Sequence, residues 1–359
     1  MKFYKTIDFY ITKKFLGTFF YAITLILSIA IVFDISENLD EFLSKDVPFH
    51  AIVFDYYMNF VPYFANLFSP LFTFIAVIYF TSKMASNTEI IAILSSGVSY
   101  RRLMRPYLVS AFILAAFSFV LGNFIIPPAN KTMNNFRSIY IDNRHPAAER
   151  NIHRQIEPGV YIYMNSFSTN KIGTRFTLEQ FKDGRLIKKL SADNIRWNEK
   201  TGKWIINNFW TRTIYDDHEE LERGYRKDTT LNMVPEDYII EKNEMESFPT
   251  PALIDEIKLM KMRGVNTIEW EIEKQKRMAG PFSAFILTLI GVGLASRKVK
   301  GGLGLHLGLG LLLSFSYILF MQISTVFAIS GIAPPYVSVW VPNAFYSIIA
   351  FFVYRWAAK

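Results

Sequence analysis

Side chains that commonly carry out chemistry are sparse in this chain. It has no cysteine and only five scattered histidines, which argues against thiolate chemistry and a clustered zinc site. The sequence contains no G-x-x-x-x-G-K-[ST] phosphate loop, no H-E-x-x-H pair and no G-x-S-x-G elbow. We therefore predict no catalytic residue, no metal ligand and no cofactor bound by this chain.

One short segment, Ser86–Gly97, has the residue types of an interaction helix. Ser86 and Glu89 have the spacing of a capping box, and Gly97 suits a helix C-terminus. The apolar face of this predicted helix consists of Ile90, Ile91 and Leu94. Glu89 has two compatible roles. It caps the helix at a membrane interface, or it pairs with a basic residue of a cytoplasmic ATPase that binds the apolar face.

The elements that must position this segment are long uncharged stretches. An uncharged run of about 18 residues can cross the roughly 30 Å hydrocarbon core of a membrane as a helix. Three such stretches come before a polar middle, and three more begin at Met278. The first three are Phe15–Phe33, Tyr56–Ser82 and Tyr107–Asn130. The sequence therefore predicts an α-helical membrane protein with six transmembrane helices, three on each side of an inserted domain.

The short loops between the predicted spans carry opposite charges. Lys and Arg predominate in the N-terminus, in Lys83–Arg105, in Arg297–Lys300 and at the C-terminus, whereas acidic residues predominate in Asp34–Asp55. Because positive loops remain in the cytoplasm, we expect both termini there and the middle domain outside. These clusters account for the net charge of +8, so we predict membrane lipids and no nucleic acid as partners.

The polar middle of the chain has the pattern of antiparallel strands. Lys182-Asp-Gly184 and Asn198–Gly202 are turn signals between alternating strands, and each predicts a hairpin. Several such strands predict an all-β, jellyroll-like domain. Thr250-Pro251 then begins a helix that ends at Gly264, and an interfacial helix follows. The predicted domains are residues 1–130 with the helix at about 86–97, residues 131–265 with the β domain, and residues 266–359.

Several segments together resemble the lipopolysaccharide-export permeases LptF and LptG. The resemblance combines the three-plus-three layout with short motifs whose order and spacing are more specific than any motif alone. These motifs are Ile7-Asp-Phe-Tyr-Ile11, Glu89–Gly97, Ile126-Pro-Pro128, the Arg297–Lys300 turn and Gly331-Ile-Ala-Pro-Pro335. The similarity covers essentially the whole chain and leans towards LptG.

The resemblance implies a permease subunit of a transporter in the bacterial inner membrane, and not an enzyme. Two homologous permeases would form a heterodimer on a cytoplasmic ABC ATPase dimer, which would use the ATP and magnesium. Lipopolysaccharide would enter the cavity between the permeases, rise into periplasmic β-jellyroll domains and pass to a periplasmic bridge protein. Glu89 would be the coupling carboxylate, and spans one and five would form the lateral gates.

Two further groups of residues are candidate contact sites. Gly304 and Gly308 in span five permit close helix approach, either within this chain or against the partner permease. Asp34 and Glu37 lie in a region where relatives can carry bases suited to lipid phosphates. Either the lipid is less phosphorylated, a divalent cation bridges it to these acids, or bases elsewhere bind it. The plain alternative is that the acidic residues form a solvated collar. The basic candidates for the head-group region are Lys274, Lys276 and Arg277.

A second class of function also fits the layout. A membrane scaffold or receptor could bind an envelope protein or peptide through the β domain. Such a protein needs neither a coupling element nor a lipid-sized cavity. The segment Ser86–Gly97 therefore favours transport.

Overall fold

The computed structural model describes residues 6–141, 147–148, 150–168, 170–240, 244–296 and 302–358. The chain divides into two compact units. The first comprises Met1–Ile141, Met245–Leu253 and Ile268–Lys359, and the second comprises Asp142–Glu244 and Ile254–Thr267. Helical structure continues through residues 131–141, past the predicted boundary at 130, and the second unit begins at Asp142.

Helices form the first unit and the connection that leads back to it. In chain order they are α1 (Thr6–Ser44), α2 (Met58–Ser86), α3 (Glu89–Ser95), α4 (Tyr100–Val120), α5 (Ile126–Phe136), α6 (Thr250–Met262), α7 (Ile268–Ala279), α8 (Phe282–Ala295), α9 (Gly302–Ile329) and α10 (Pro335–Ala357). Wider π-helical turns precede α2, join α4 to α5 and follow α5, at Ala51–Tyr57, Leu121–Ile125 and Arg137–Ile141.

Within the described residues, five helices are long and apolar enough to cross a membrane. The pair α7 and α8, bent by 49° between its members, supplies a sixth if it is one broken span. The 39 residues of α1 extend about 58 Å at about 1.5 Å per residue, well beyond the hydrocarbon core. The predicted acidic loop Asp34–Asp55 is thus corrected, because α1 continues to Ser44 and the next helical segment begins at Ala51.

Two proline-containing breaks shape these helices. Proline has no N–H and clashes with the carbonyl four residues before it. The Ile126-Pro-Pro128 segment lies at the start of α5. The π-helical turn directly before it interrupts the regular α-helical hydrogen bonds, so the prolines do not fall within a continuous α-helix. Gly280 and Pro281 separate α7 from α8 at the bend.

Helix α2 lies at the centre of the first unit and packs against α1, α5, α8 and α9. Phe74 and Ile78 on α2 and Leu287 on α8 are fully buried. Gly291 allows α8 to approach α2 closely, because a Cβ there would lie 2.7 Å from Cγ1 of Val77.

The second unit contains one antiparallel sheet and a short ribbon. The strands are β1 (Ala147–Ala148), β2 (Arg150–Glu157), β3 (Val160–Ser168), β4 (Ile172–Lys182), β5 (Arg185–Asn198), β6 (Lys203–Ile214), β7 (Glu219–Thr229) and β8 (Ile239–Ile240). Strands β2 to β7 pair in sequence order, and β1 pairs with β8. The described strands therefore confirm a separate antiparallel sheet, arranged as a meander without the Greek-key crossovers of a strict jellyroll. The unit is not all-β, because residues 254–262 of α6 also belong to it.

Both predicted hairpins are confirmed. Asp183 and Gly184 have φ angles of 49° and 77°, as a two-residue type I′ turn requires, and they join β4 to β5. Gly202, at φ 61°, ends the turn between β5 and β6. The sheet's own core includes Trp204, whose indole N–H donates to the carbonyl of Met233 at 3.0 Å. This core supports the sheet without any disulfide, since the chain has no cysteine.

Candidate functional site

The short helix α3 is present, and its C-terminus matches the prediction. Gly97 follows it at φ 85°, a left-handed conformation that glycine adopts without strain. The predicted capping box is wrong. Ser86 is the last residue of α2, and its hydroxyl donates to the carbonyl of Lys83 at 2.9 Å. Thr88 precedes α3 in a left-handed conformation and makes no side-chain capping bond.

The two faces of α3 have different surroundings. Ile90 is 1% exposed and belongs to a core cluster that includes Ile11 and Phe15 of α1. Ile91 is 52% exposed, and Leu94 is also exposed. One face of α3 therefore anchors the helix to the bundle, and the other presents apolar surface.

The carboxylate of Glu89 accepts hydrogen bonds from two neutral groups. The hydroxyl of Tyr10 on α1 donates to Oε2 at 3.2 Å. The side-chain amide of Asn87 donates to Oε1 at 3.2 Å. Glu89 remains partly exposed. Its position is thus fixed by the start of α1 as well as by its own helix.

An ion pair fixes the start of α1 against α4. The hydroxyl of Ser99 caps α4 by accepting from the backbone N–H of Arg102 at 3.3 Å. The guanidinium of Arg102 then donates two bonds to the carboxylate of Asp8, both at 2.6 Å. Asp8 is only 3% exposed. No local sequence signal identifies this ion pair, because its two residues are 94 positions apart in the chain.

The two acidic head-group candidates on α1 differ in their surroundings. Asp34 accepts hydrogen bonds from the hydroxyls of Tyr56 at 3.1 Å and Tyr57 at 2.9 Å. It therefore helps to join α1 to the segment that leads into α2. Glu37 is exposed to solvent.

Arg277, one of the predicted head-group residues, is held by hydrogen bonds within the fold itself. It is 7% exposed, and every terminal nitrogen of its guanidinium donates within the first unit. The acceptors are Oε1 of Glu273 at 2.8 Å, the carbonyl of Phe248 at 2.7 Å, Oγ1 of Thr250 at 3.3 Å, and the carbonyls of Met245 at 3.1 Å and Glu246 at 3.4 Å. Lys274 and Lys276 are half-buried on the same helix.

A buried amide and a carboxyl group lie in the same part of the first unit. Asn130 is 1% exposed, and its side-chain amide donates to Oε2 of Glu246 at 3.4 Å. Burial and the nearby charge of Glu273 raise the pKa of Glu246 to about 7, although Lys276 and Arg277 act in the opposite direction. Glu246 therefore exchanges a proton near neutral pH.

The glycines of α9 fall into two groups. A Cβ at Gly304 or Gly308 would meet no atom of the described residues within 4 Å. A Cβ at Gly310 would instead lie 2.5 Å from Cδ1 of Ile78 on α2. The close helix approach within this chain is therefore at Gly310, and Gly304 and Gly308 face open space.

An apolar pocket of about 290 Å³ opens between α4 and α8. Its lining carries no charged side chain. The lining residues are Phe112, Ala115, Ala116, Phe119, Val120, Pro281, Phe282 and Phe285. No group of three or more His, Asp or Glu residues in the described part of the chain converges as a metal site would require.

The sequence pattern described as lipopolysaccharide export system permease LptF/LptG matches residues 9–356. The chain belongs to the LptF/LptG family. No individual characterised protein matches the sequence at a significant level. The family consists of membrane permease subunits that work with a partner permease and an ATPase in lipopolysaccharide export. The resemblance drawn from the sequence is confirmed.

In this LptF/LptG permease, the structure brings only some of the predicted site residues together. Glu89, Ile91 and Leu94 share the exposed side of α3, and Ile90 anchors it. Lys274 and Lys276 lie on α7 with Arg277, which the fold itself uses. Asp8, Tyr10 and Arg102 complete the surroundings of α3 and were missed because each acts across a long sequence separation.

Proposed function

We propose that this chain is the subunit through which ATP hydrolysis drives lipopolysaccharide out of the inner membrane and on to a periplasmic bridge protein. The observation that carries the proposal is α3. This helix is anchored through Ile90 and presents the exposed apolar side chains Ile91 and Leu94 beside the carboxylate of Glu89.

Helix α3 has the chemistry of a docking element for the cytoplasmic ATPase dimer. Ile91 and Leu94 would enter an apolar groove, and a basic residue of the ATPase would pair with Glu89. This chain has no phosphate loop, so ATP and magnesium would bind the ATPase. The free energy of ATP hydrolysis would be transmitted to the permease through the contacts between α3 and the ATPase.

The charge distribution supports a cytoplasmic position for α3 and both termini. Basic residues cluster at Lys13–Lys14, Arg101–Arg105 and Arg355, beside the same ends of the spans as α3 in the chain order. The sheet unit, inserted between α5 and α7, would then lie in the periplasm. There it would receive the lipid and pass it to the bridge protein.

The lipid would travel along a wall formed by α1 and α9 together with a second, homologous permease. Both helices expose apolar side chains, such as Tyr21 and Val32 on α1 and Leu312 and Leu319 on α9. Gly304 and Gly308 leave room for a partner helix. The pocket between α4 and α8 suits an acyl chain because its lining is apolar. Transport would arise from tight lipid binding in the open state and weak binding in the closed state.

Photo-crosslinking in vesicles tests this route. Photoreactive residues replace Tyr21 on α1 and Leu312 on α9, and the control replaces Phe352, an exposed residue of α10. With labelled lipopolysaccharide and the complete permease–ATPase complex, we expect crosslinks at the first two positions that decline when ATP is added. Equal labelling at all three positions, insensitive to ATP, would show only lipid-facing surfaces and overturn the proposal.

A further inference from the structure

The carboxylates of Asp8 and Glu89, at the starts of α1 and α3, have different kinds of hydrogen-bond donors. Asp8 is buried and accepts two hydrogen bonds from the guanidinium of Arg102. Glu89 receives only the neutral donors Tyr10 and Asn87. Within the described part of the chain, no cation forms an ion pair with Glu89. Its charge is oriented but not compensated.

Neutral donors and cations have different consequences for a later binding partner. A cation paired with a carboxylate must be displaced before another base can bind, and that displacement lowers affinity. A phenol and an amide restrict the rotamers of the carboxylate without neutralising it. The entropy of ordering the side chain is then lost before the partner arrives, which favours binding.

The hydroxyl of Tyr10 can orient the carboxylate of Glu89 because other residues hold the start of α1 in place. Asp8, Ile11 and Phe15 are buried against the bundle and hold the start of α1. Tyr10 lies on a different side and is partly exposed. The amine of Lys14 lies 5.9 Å from the centre of the Tyr10 ring. The hydroxyl of Tyr10 donates to Glu89, which is 79 residues later in the chain. The bond therefore contributes little to folding and instead links α1 to α3.

We infer that Tyr10 is a positioning residue: its hydroxyl pre-orients the Glu89 carboxylate for a basic partner and ties the start of α1 to α3. The inference rests on the proposed function, since orientation of Glu89 has an effect only if α3 binds the ATPase. Asn87 would assist from the other carboxylate oxygen. Docking at α3 would then be transmitted directly to α1, the helix proposed as a wall of the lipid route.

A double-mutant cycle in the complete reconstituted complex tests the inference. It compares the wild type, Tyr10→Phe, Glu89→Gln and the double variant, and measures the Kd for added ATPase and the lipid-stimulated ATP hydrolysis. We expect Tyr10→Phe to weaken binding by about two- to tenfold, as for loss of one hydrogen bond. In the E89Q background the same change should have an effect of less than about twofold.

Controls separate positioning from folding. Tyr79→Phe, the same change at a residue of α2 that is 41% exposed, should leave affinity unchanged. Asn87→Ala should weaken affinity in the same direction as Tyr10→Phe. The thermal midpoint of Tyr10→Phe should equal that of the wild type. If E89Q lowers affinity but Tyr10→Phe does not, or if Tyr10→Phe acts equally in both backgrounds, the inference is overturned. If E89Q itself changes neither quantity, the proposed role of α3 fails instead.

Discussion

Two polar clusters of the first unit use charge in opposite ways. Around α3, Arg102 is paired with Asp8, and the partly exposed carboxylate of Glu89 has only neutral hydrogen-bond donors among the residues that the structure describes. On α7, Arg277 is buried, and backbone carbonyls together with Glu273 take its donors. Burying a guanidinium without partners costs several kcal/mol, so the fold must supply acceptors. A charged residue is available to a partner only where the fold leaves its hydrogen-bonding capacity unused.

The largest effect that separates these clusters is expected from Arg277→Met. The change leaves the carbonyls of Met245 and Phe248 without their donor and Glu273 without its cation. We expect a loss of about 3–5 kcal/mol in the free energy of unfolding, measured by thermal or denaturant unfolding in detergent.

The matched control is Lys274→Met on the same helix, which should change the stability by less than about 1 kcal/mol. If Arg277→Met left the stability intact and only reduced lipid binding, Arg277 would be a head-group ligand after all. The contrast between the two clusters would then disappear.

A smaller loss is expected from Asp8→Asn. This change keeps the shape of the side chain but removes the charge that pairs with Arg102. Because the side chain of Arg102 is 25% exposed, solvent compensates part of the loss, and we expect about 2 kcal/mol. The start of α1, which carries Tyr10, would also be held less firmly beside Glu89, and the affinity for the ATPase should fall.

Glu37→Gln, an exposed change on the same helix, serves as the control in both the unfolding and the binding measurement. If Asp8→Asn bound the ATPase with wild-type affinity, the idea that the Asp8–Arg102 ion pair helps to hold Tyr10 beside Glu89 would be contradicted.

The smallest effect concerns Glu246 and depends on pH. Its pKa is raised to about 7 from an unfolded value of 4.5, so the folded protein holds the proton more tightly. The stabilisation is therefore complete below about pH 4.5 and is lost as the pH rises to about 7. Because glutamine cannot ionise, Glu246→Gln should keep its stability as the pH rises. We expect the variant to match the wild type at pH 4 and to exceed it by at least about 1 kcal/mol at pH 8.

The measurement is the difference between the thermal midpoints of the two proteins across that range, which cancels the titration of the other groups. A difference that stays constant with pH would show that Glu246 does not titrate there. The half-buried carboxyl group of Glu246 beside Asn130 would then be ionised throughout.

Features governed by local chemistry could be predicted from the sequence. The uncharged stretches became long helices, and Asp183-Gly184 formed the expected turn because few other residues adopt positive φ at both positions. Gly97 ends α3 for the same reason. The family followed from the order of such local features, and the match over residues 9–356 confirms it.

Features that depend on distant partners could not be predicted. The spacing of Ser86 and Glu89 matched a capping box, but α2 extends far enough to use the Ser86 hydroxyl itself. Arg277 looked available because the carbonyls that surround it come from a segment about 30 residues earlier. The hydrogen bond between Tyr10 and Glu89 has no sequence signal, since it joins the starts of two different helices.

Lipopolysaccharide-stimulated ATP hydrolysis by the complex carrying Glu89→Gln tests the central claim most directly. Glutamine preserves the shape of the side chain and removes only the charge. Glu222→Gln, an exposed change on β7, serves as the control. We predict that Glu89→Gln lowers the stimulated rate by about tenfold, equivalent to about 1.4 kcal/mol, while the permease remains folded and Glu222→Gln has no effect. A stimulated rate equal to the wild type in the Glu89→Gln complex would contradict the role of α3 as the site where ATP hydrolysis is coupled to lipid transport.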